Sequence, residues 1–84
     1  MNVKGKVFRV DELKTFDSGF TKQEFILETE GEYPQKIKFE TVKDKTSICD
    51  LLMPEAEVTV HFNLRGNEYQ DKFYNSLVAW KVDM

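Results

Sequence analysis

The sequence predicts a single all-β domain of five strands, with one short helix between the third and fourth strands. Apolar and polar residues alternate with a period of two along most of the chain. The period becomes helical only once, between residues 43 and 53. The length of 84 residues allows one compact domain, residues 1–84, and is too short for two.

The first predicted strand covers residues 3–10, and Val3, Gly5 and Val7 lie on one of its faces. A glycine inside a strand predicts a bend or bulge, which a small barrel needs in order to close. The polar segment 11–19 ends in an Asp-Ser-Gly turn signal and is therefore the first predicted loop.

The second and third predicted strands cover residues 20–30 and 33–42, and a turn at Gly31-Glu32 joins them. Each strand alternates between a mainly apolar face and a charged face, as expected of strands that cover a core on one side. The apolar faces carry Gln23, Phe25, Leu27 and Thr29 in the second strand and Ile37, Phe39 and Thr41 in the third.

A short helix of about two to three turns is predicted between residues 43 and 53. Asp44 is its predicted N-cap, because a short carboxylate side chain accepts hydrogen bonds from the free N–H groups of the first turn. Pro54 ends the helix, since proline cannot continue it. The apolar residues at helical spacing are Ile48, Leu51 and Leu52.

The fourth predicted strand begins near residue 58, and Gly66-Asn67 begins the turn into the fifth strand, residues 72–82. The apolar face of the fourth strand consists of Val58, Val60, Phe62 and Leu64. The fifth strand has apolar residues on both faces, so its orientation stays open. Its faces are Leu77 with Ala79, and Val78 with Trp80 and Val82.

Three strands, a helix and two further strands form the chain order of the OB fold, a five-stranded Greek-key barrel. An SH3-like barrel also has five strands, but it usually lacks a full helix between the third and the fourth. The sequence therefore favours the OB-fold barrel with one short helix between strands three and four.

Several stretches of the chain together carry a resemblance to a known family. They are Val3-Lys4-Gly5-Lys6-Val7, Lys22 to Thr29, Tyr33-Pro34-Gln35-Lys36, Asn63-Leu64-Arg65-Gly66 and Ala79-Trp80-Lys81-Val82. In order and spacing they resemble a family of short bacterial and phage OB-fold proteins of unknown function, related to single-stranded DNA-binding proteins. The resemblance covers essentially the whole chain and implies the OB fold and single-strand binding. The chain departs from the family pattern at Met53-Pro54-Glu55-Ala56, which replaces a Val-Gly-Asp type of turn.

The formal net charge is −3, from 12 Lys and Arg residues against 15 Asp and Glu residues. This balance argues against binding of duplex DNA by a globally basic surface, although it permits a local basic stripe. The sequence has no paired catalytic carboxylates, glycine-rich phosphate loop or zinc-ligand pattern. It therefore predicts a binding protein rather than an enzyme, without a cofactor or a metal.

Cys49 is the only cysteine, which excludes an intrachain disulfide and is typical of a reducing compartment. The first ten residues contain no apolar core of a signal peptide, and no apolar run approaches the ~20 residues of a transmembrane helix. We therefore expect a cytoplasmic protein that does not enter a membrane.

Lys22, Lys36 and Lys38 lie on the predicted outer faces of strands two and three, where OB folds bind single strands. Lysines on these faces would bind the phosphates of a single strand. The alternative is a solvated face, since Glu24, Glu28 and Glu40 are interleaved with the lysines and cross-strand Lys–Glu pairs would explain the pattern without a ligand.

A second group of candidates surrounds the predicted loop between strands four and five. Arg65 and Lys72 flank the segment Gly66 to Asp71, which contains Tyr69. Phe73 and Tyr74 follow, and in a regular strand one of these two rings faces outward. An exposed ring beside cations predicts a platform for base stacking, whereas a ring that caps the end of the barrel is the structural alternative.

Two further side chains are candidates for nucleic-acid contact. Trp80 either stacks a base, covers the barrel or lies in a subunit interface, where tryptophan is enriched. His61, on the predicted outer face of strand four, either contacts a phosphate or base or is an ordinary surface histidine. As the only histidine, it does not indicate a metal site.

These features predict single-stranded DNA binding with little sequence preference, in an accessory role in replication or repair beside other replication or repair proteins. RNA is an alternative ligand, because discrimination depends on contacts to the 2′-hydroxyl. A protein-interaction module that binds no nucleic acid is the alternative of another class, favoured by the acidic balance. A homodimer is expected, because edge strands of small barrels commonly pair.

Overall fold

A computed structural model describes all residues, 1–84, and contains six strands and one 3₁₀ helix. The strands are β1 (Asn2–Val10), β2 (Lys14–Thr15), β3 (Thr21–Thr29), β4 (Lys36–Val42), β5 (Glu57–Tyr69) and β6 (Lys72–Asp83), and the helix is Lys43–Leu51. None of these elements is a helix of the length and apolar character that a membrane crossing requires.

The five long strands form a closed ring in the order β1-β5-β6-β4-β3, and β1 pairs again with β3. All of these pairings are antiparallel except that of β4 with β6. The 3₁₀ helix follows β4, the third of the long strands. The prediction of an all-β OB-fold barrel with one short helix at this point is confirmed.

The core lies inside this ring and consists mainly of side chains that the alternation placed on the inner faces, together with Cys49 and Leu52. Leu64, which the alternation placed on the apolar face of the fourth strand, is 57% exposed. Phe25 and Phe39 are fully buried and stack with ring centroids 5.4 Å apart. Phe62 packs against Phe39 at 5.2 Å. The Thr41 hydroxyl, also buried, donates to the backbone carbonyl of Gln23, so this inward polar group is paired.

Gly5 was predicted to mark a bend or bulge, but the bulge in β1 lies between Val7 and Arg9. Gly5 pairs with residues of both β3 and β5, where the barrel closes. A Cβ at this position would lie 2.3 Å from the carbonyl oxygen of Glu28. The absence of a side chain therefore allows β1 and β3 to approach closely.

The segment 11–19 was predicted as a loop, and the structure adds the short strand β2 within it, paired with the start of β3. A tight turn connects the two strands: the Phe16 N–H donates to the Phe20 carbonyl, and Gly19 has a φ of +85°. Glycine adopts this left-handed backbone without the steric penalty of a Cβ.

The prediction that Asp44 is the N-cap is wrong. Val42 occupies the N-cap position without a side-chain capping bond, and Asp44 lies in the first turn. Three residues per turn place Cys49 and Leu52 on the same side, where both are buried, whereas Leu51 is exposed. The element therefore covers one end of the core as a 3₁₀ helix.

The predicted turn at Gly66-Asn67 is also wrong, because β5 and β6 remain paired as far as Tyr69 and Lys72. The turn residues are Gln70 and Asp71, with φ of 51° and 62°. Left-handed backbone at both central residues is the geometry of a type I′ hairpin turn, which matches the twist of paired strands. A long hairpin therefore replaces the predicted loop 66–71.

A register shift in this ladder also settles the orientation of β6. His61 pairs with Lys81 and Phe62 pairs with Ala79, so Trp80 is the additional residue of a bulge. Ala79 belongs to the core, and Leu77 and Val82 pack against it. Strict alternation predicted that Val82 and Trp80 share a face. The bulge makes this prediction wrong, because Val82 points toward the core and Trp80 does not. Val78 is buried outside the main core cluster.

Candidate nucleic-acid interface

An open groove lies on the outside of the barrel between β4 and β6. These strands share one residue pair, Glu40 with Val78, and their ladder does not continue on either side of that pair. The groove has a volume of about 520 Å³ and receives side chains from β3, β4 and β6. Its lining residues are Lys22, Glu24, Lys36, Ile37, Lys38, Glu40, Asn75, Ser76 and Leu77.

The three lysines predicted on the outer faces of β3 and β4 all line this groove. Lys38 is 63% exposed and Lys22 is 30% exposed. Lys36 extends over the ring of Phe8 on β1, with its ammonium nitrogen 4.4 Å from the ring centroid. The sequence analysis missed Phe8. Because neighbouring residues of a strand point to opposite faces and Val7 points inward, the alternation places Phe8 on the outer face.

Of the carboxylates interleaved with the lysines, Glu24 and Glu40 form ion pairs, and those pairs that join β3 to β4 are diagonal, whereas Glu28 lies directly opposite Lys36 without an ion pair. Glu24 lies directly opposite Glu40, and Lys22 lies opposite Val42. The Lys22 ammonium is 3.3 Å from the Glu40 carboxylate, and the Lys38 ammonium is 3.6 Å from the Glu24 carboxylate. The alternative of cross-strand Lys–Glu pairing is therefore realised in part, within the same groove.

The remaining cations and rings lie on the hairpin formed by the outer halves of β5 and β6. Residues directly opposite each other in an antiparallel ladder share a face. Arg65 pairs with Ser76, Asn67 with Tyr74, and Tyr69 with Lys72. One face of the hairpin, which we call the basic-aromatic face, therefore carries Arg65, Tyr69, Lys72 and Tyr74.

Both tyrosines on this face are more than half exposed, Tyr69 at 63% and Tyr74 at 53%. Ser76 belongs to the same face and also lines the groove. Asn75 and Leu77, on the opposite face with Phe73, line the groove as well, so both faces of the hairpin adjoin it. None of the cations of the basic-aromatic face has a carboxylate within ion-pair distance, in contrast to Lys22 and Lys38.

Phe73 lies on the opposite face of the hairpin, directly across from Glu68. It is 74% exposed, because the hairpin extends beyond the barrel and leaves both of its faces in solvent. The expectation that only one ring of Phe73 and Tyr74 faces outward therefore does not apply. The structure separates Phe73 from the cations that it was expected to accompany.

His61 and Trp80 lie outside the groove and form a separate contact on the outer face of β5 and β6. Their ring centroids are 5.4 Å apart, and Trp80 is 42% exposed. His61 Nε2 lies 2.7 Å from the Asp83 carboxylate. This hydrogen bond holds the pKa of Asp83 below its usual value.

No group of three or more His, Cys, Asp or Glu side chains is close enough together to hold a metal ion. Cys49 is buried, and burial raises the pKa of its thiol. The Thr41 hydroxyl lies 3.6 Å from Cys49 Sγ. The thiol therefore remains protonated at neutral pH and packs as part of the core.

The sequence matches the family described as Domain of unknown function (DUF3127) over residues 2–83. The chain belongs to this family. No curated protein matches it.

Solved structures of similar architecture show that the DUF3127 chain shares its fold with single-stranded DNA-binding proteins. The SSB domain of a Synechococcus sp. protein has a TM-score of 0.79 and 16% identity, over 100% of this chain and 92% of that one. Rim1, a mitochondrial single-stranded DNA-binding protein of S. cerevisiae, has a TM-score of 0.80 and 13% identity, over 100% and 91%.

A third similar structure is the N-terminal domain of PriB from Thermoanaerobacter tencongensis, described as dimeric. Its TM-score is 0.72 and its identity is 21%, over 99% of the DUF3127 chain and 91% of the PriB chain. At these identities the likeness establishes the OB fold.

Proposed function

We propose that this DUF3127 protein binds single-stranded DNA in the groove and along the basic-aromatic face of the hairpin. The role is an accessory one in DNA replication or repair, and it consists of binding without chemical conversion of the ligand. The observation that carries the proposal is the convergence of Lys22, Lys36 and Lys38 on one groove that adjoins exposed rings and unpaired cations.

The arrangement supplies both interactions that a single strand needs. Lys36, Arg65 and Lys72 have no carboxylate partner, so they are available to phosphates. Tyr69 and Tyr74 present ring surface to solvent, and stacking of one base on such a ring contributes ~1–3 kcal/mol. The net charge of −3 is compatible with a local positive patch, because the basic-aromatic face itself carries no Asp or Glu.

The first test is fluorescence anisotropy of a labelled DNA strand of about 20 nucleotides, longer than the ~4–16 nucleotides that one OB fold occupies. We expect saturable binding at about 50 mM salt that weakens steeply by about 200 mM, since phosphate contacts release counterions. Absence of binding at the lower salt concentration and high protein concentration would refute the proposal.

Charge variants test the path of the strand. Replacing Arg65 and Lys72 by Ala should weaken binding and lower the slope of log K against log salt by about 0.7 per lost phosphate contact. The matched control replaces Lys4 and Lys45, exposed lysines that line neither the groove nor the hairpin, and removes the same charge. Equal losses in both double variants would indicate a nonspecific charge effect and contradict the proposed path.

Ring variants test the stacking face. Tyr74→Ala should weaken binding about 5- to 150-fold, the equivalent of one lost base stack. Tyr33→Ala removes a ring that is 79% exposed in the β3–β4 connection and serves as the control. Phe73→Ala tests the opposite hairpin face. If Phe73→Ala weakens binding and Tyr74→Ala does not, the strand follows the face that carries Glu68.

The same assays separate the alternatives. An RNA strand of equal sequence that binds more tightly than DNA would identify RNA as the ligand, through its 2′-hydroxyls. If neither nucleic acid binds, the protein-interaction module becomes the better account. The expected homodimer draws support from the PriB domain described as dimeric. Light scattering after gel filtration should then give twice the mass of the chain.

A further inference from the structure

The groove contains two carboxylates where a purely phosphate-binding groove would have none. Glu24 and Glu40 lie directly opposite each other on β3 and β4, and both line the groove. Like charges in directly opposite positions destabilise a sheet, and the surrounding Lys14, Lys22 and Lys38 oppose this cost. A role in ligand recognition would account for carboxylates at this position.

The lysine ammonium groups lie within ion-pair distance of these carboxylates but do not form short hydrogen bonds with them. The Glu24 carboxylate lies 3.6 Å from Lys38, 3.8 Å from Lys14 and 4.0 Å from Lys22. The closest contact of Glu40 is the 3.3 Å pair with Lys22. Charge-assisted hydrogen bonds are shorter, about 2.7–2.9 Å, so the carboxylates, whose side chains are 12% exposed in Glu24 and 20% in Glu40, can accept from a ligand donor only where their oxygens reach the groove.

A carboxylate repels phosphate and accepts hydrogen bonds, which makes it a partner for the amino groups of bases. Acidic side chains accept from the exocyclic amino group of cytosine, whereas the corresponding atom of thymine or uracil is a carbonyl oxygen that a carboxylate repels. Splayed bases of a single strand expose these edges. Lys38, beside Glu24 and well exposed, can donate to the ring acceptors next to the amino group.

We propose that Glu24 and Glu40 face the bases and select strands whose bases carry an exocyclic amino group. Cytosine-rich DNA should therefore bind more tightly than uracil- or thymine-rich DNA, with phosphates held by Lys36 and the cations of the hairpin. This inference rests on the proposed single-strand binding. It replaces the expectation of little sequence preference with a defined one.

The test compares oligodeoxycytidine with oligodeoxyuridine by anisotropy at slightly alkaline pH, because these strands differ only at the base edge that carries the amino or carbonyl group. We expect oligodeoxycytidine to bind at least about tenfold more tightly, the size of one hydrogen bond to a charged group. Glu24→Gln should abolish this preference, since an amide can either donate or accept. It should also tighten the binding of oligodeoxyuridine, because a charge that repels the strand and attracts the lysines is removed.

Glu28→Gln is the matched control. Glu28 lies on the same strand directly opposite Lys36, does not line the groove and forms no ion pair, so its replacement removes the same charge near a groove lysine without changing the groove carboxylates. The base preference should persist in this variant. Glu40→Gln provides a second variant that should reduce the preference, which keeps the proposal testable if Glu24→Gln fails to fold by circular dichroism.

The outcomes distinguish this inference from the function on which it rests. Equal binding of the two strands would overturn base selection and leave single-strand binding intact. A preference that persists in both Glu24→Gln and Glu40→Gln would overturn the assignment to these carboxylates. Failure of every strand to bind the wild-type protein at low salt would refute the proposed function and the inference together.

Discussion

Replacement of Gly5 by Ala tests the close approach that lets the barrel close. The added Cβ would lie 2.3 Å from the carbonyl oxygen and 3.0 Å from the carbonyl carbon of Glu28, and 3.1 Å from Cγ of Leu27. Non-bonded carbon contacts are optimal at about 3.5–4.0 Å, so β1 and β3 would have to separate by about 1 Å. All three contacts are to backbone atoms or to the buried Leu27 side chain, which cannot rotate away.

The expected loss of stability follows from two contributions. Overpacking of a core position typically costs about 1–3 kcal/mol. Distortion of a backbone hydrogen bond in the β1–β3 ladder adds about 0.5–1.5 kcal/mol. A total of about 2–4 kcal/mol is a large share of the ~5–15 kcal/mol that stabilises a small domain. At about 4–8 °C per kcal/mol, Tm should fall by roughly 10–30 °C.

The assay is thermal unfolding followed by far-ultraviolet circular dichroism, with urea unfolding as a second measure of the free energy of unfolding. Gly66→Ala is the matched control, because its Cβ would meet only the Asn75 side-chain oxygen, at an ordinary 3.5 Å. Gly66 also lies in a paired strand, where alanine is tolerated. If Gly5→Ala melts within a few degrees of both Gly66→Ala and the wild type, the close-approach argument is refuted.

Two further predictions concern the hairpin turn and the His61–Asp83 contact. Replacing Gln70-Asp71 by Asn-Gly should raise the free energy of unfolding by up to about 1 kcal/mol, because Asn-Gly favours the type I′ backbone that the turn adopts; an unchanged or lower value in urea unfolding would contradict the assigned turn. The pKa of Asp83 is lowered by its hydrogen bond with His61, so His61→Ala should move it back toward the usual value in a carboxyl carbon NMR titration. Because the folded-state pKa is the lower one, the stabilisation is present above the unfolded-state pKa of ~3.9 and is lost as pH falls through the folded value; a pKa that is identical in wild type and variant would contradict this cause.

The inner faces of β1, β3 and β4, and of β5 as far as Phe62, were predictable because the alternation of apolar and polar residues follows burial, whereas Leu64 on the same face of β5 is exposed. Phe25, Leu27 and Phe39 were assigned to the core by this pattern alone, and all three are fully buried. Features that depend on register were not predictable. The bulge at Trp80 reverses the alternation within β6, and nothing in the local sequence marks it.

The hairpin shows how a local signal was misleading. Gly66-Asn67 has the composition of a turn, whereas the turn itself uses Gln70, a residue type that rarely adopts left-handed backbone, followed by Asp71. Pairing along the whole ladder with β6 outweighs the local preference. The prediction therefore located the cations and rings in the correct region but missed which of them share a face.

The groove lysines were predicted as a stripe, and their convergence is a consequence of adjacent strands with matched register. Their ion pairs could not be assigned from the sequence, since a two-residue change in register keeps the same face outward but would exchange diagonal for direct partners. The carboxylates that were weighed against ligand binding lie in the same groove as the lysines. Their position there is the basis of the proposed base selection.

Binding of single-stranded DNA by the groove and the basic-aromatic face together is tested by anisotropy titration of a labelled strand with the wild-type protein, Tyr74→Ala and Tyr33→Ala, at low and physiological salt. We expect saturable, salt-sensitive binding that Tyr74→Ala weakens and Tyr33→Ala leaves unchanged. No binding at low salt, or equal binding by all three proteins, would contradict this expectation.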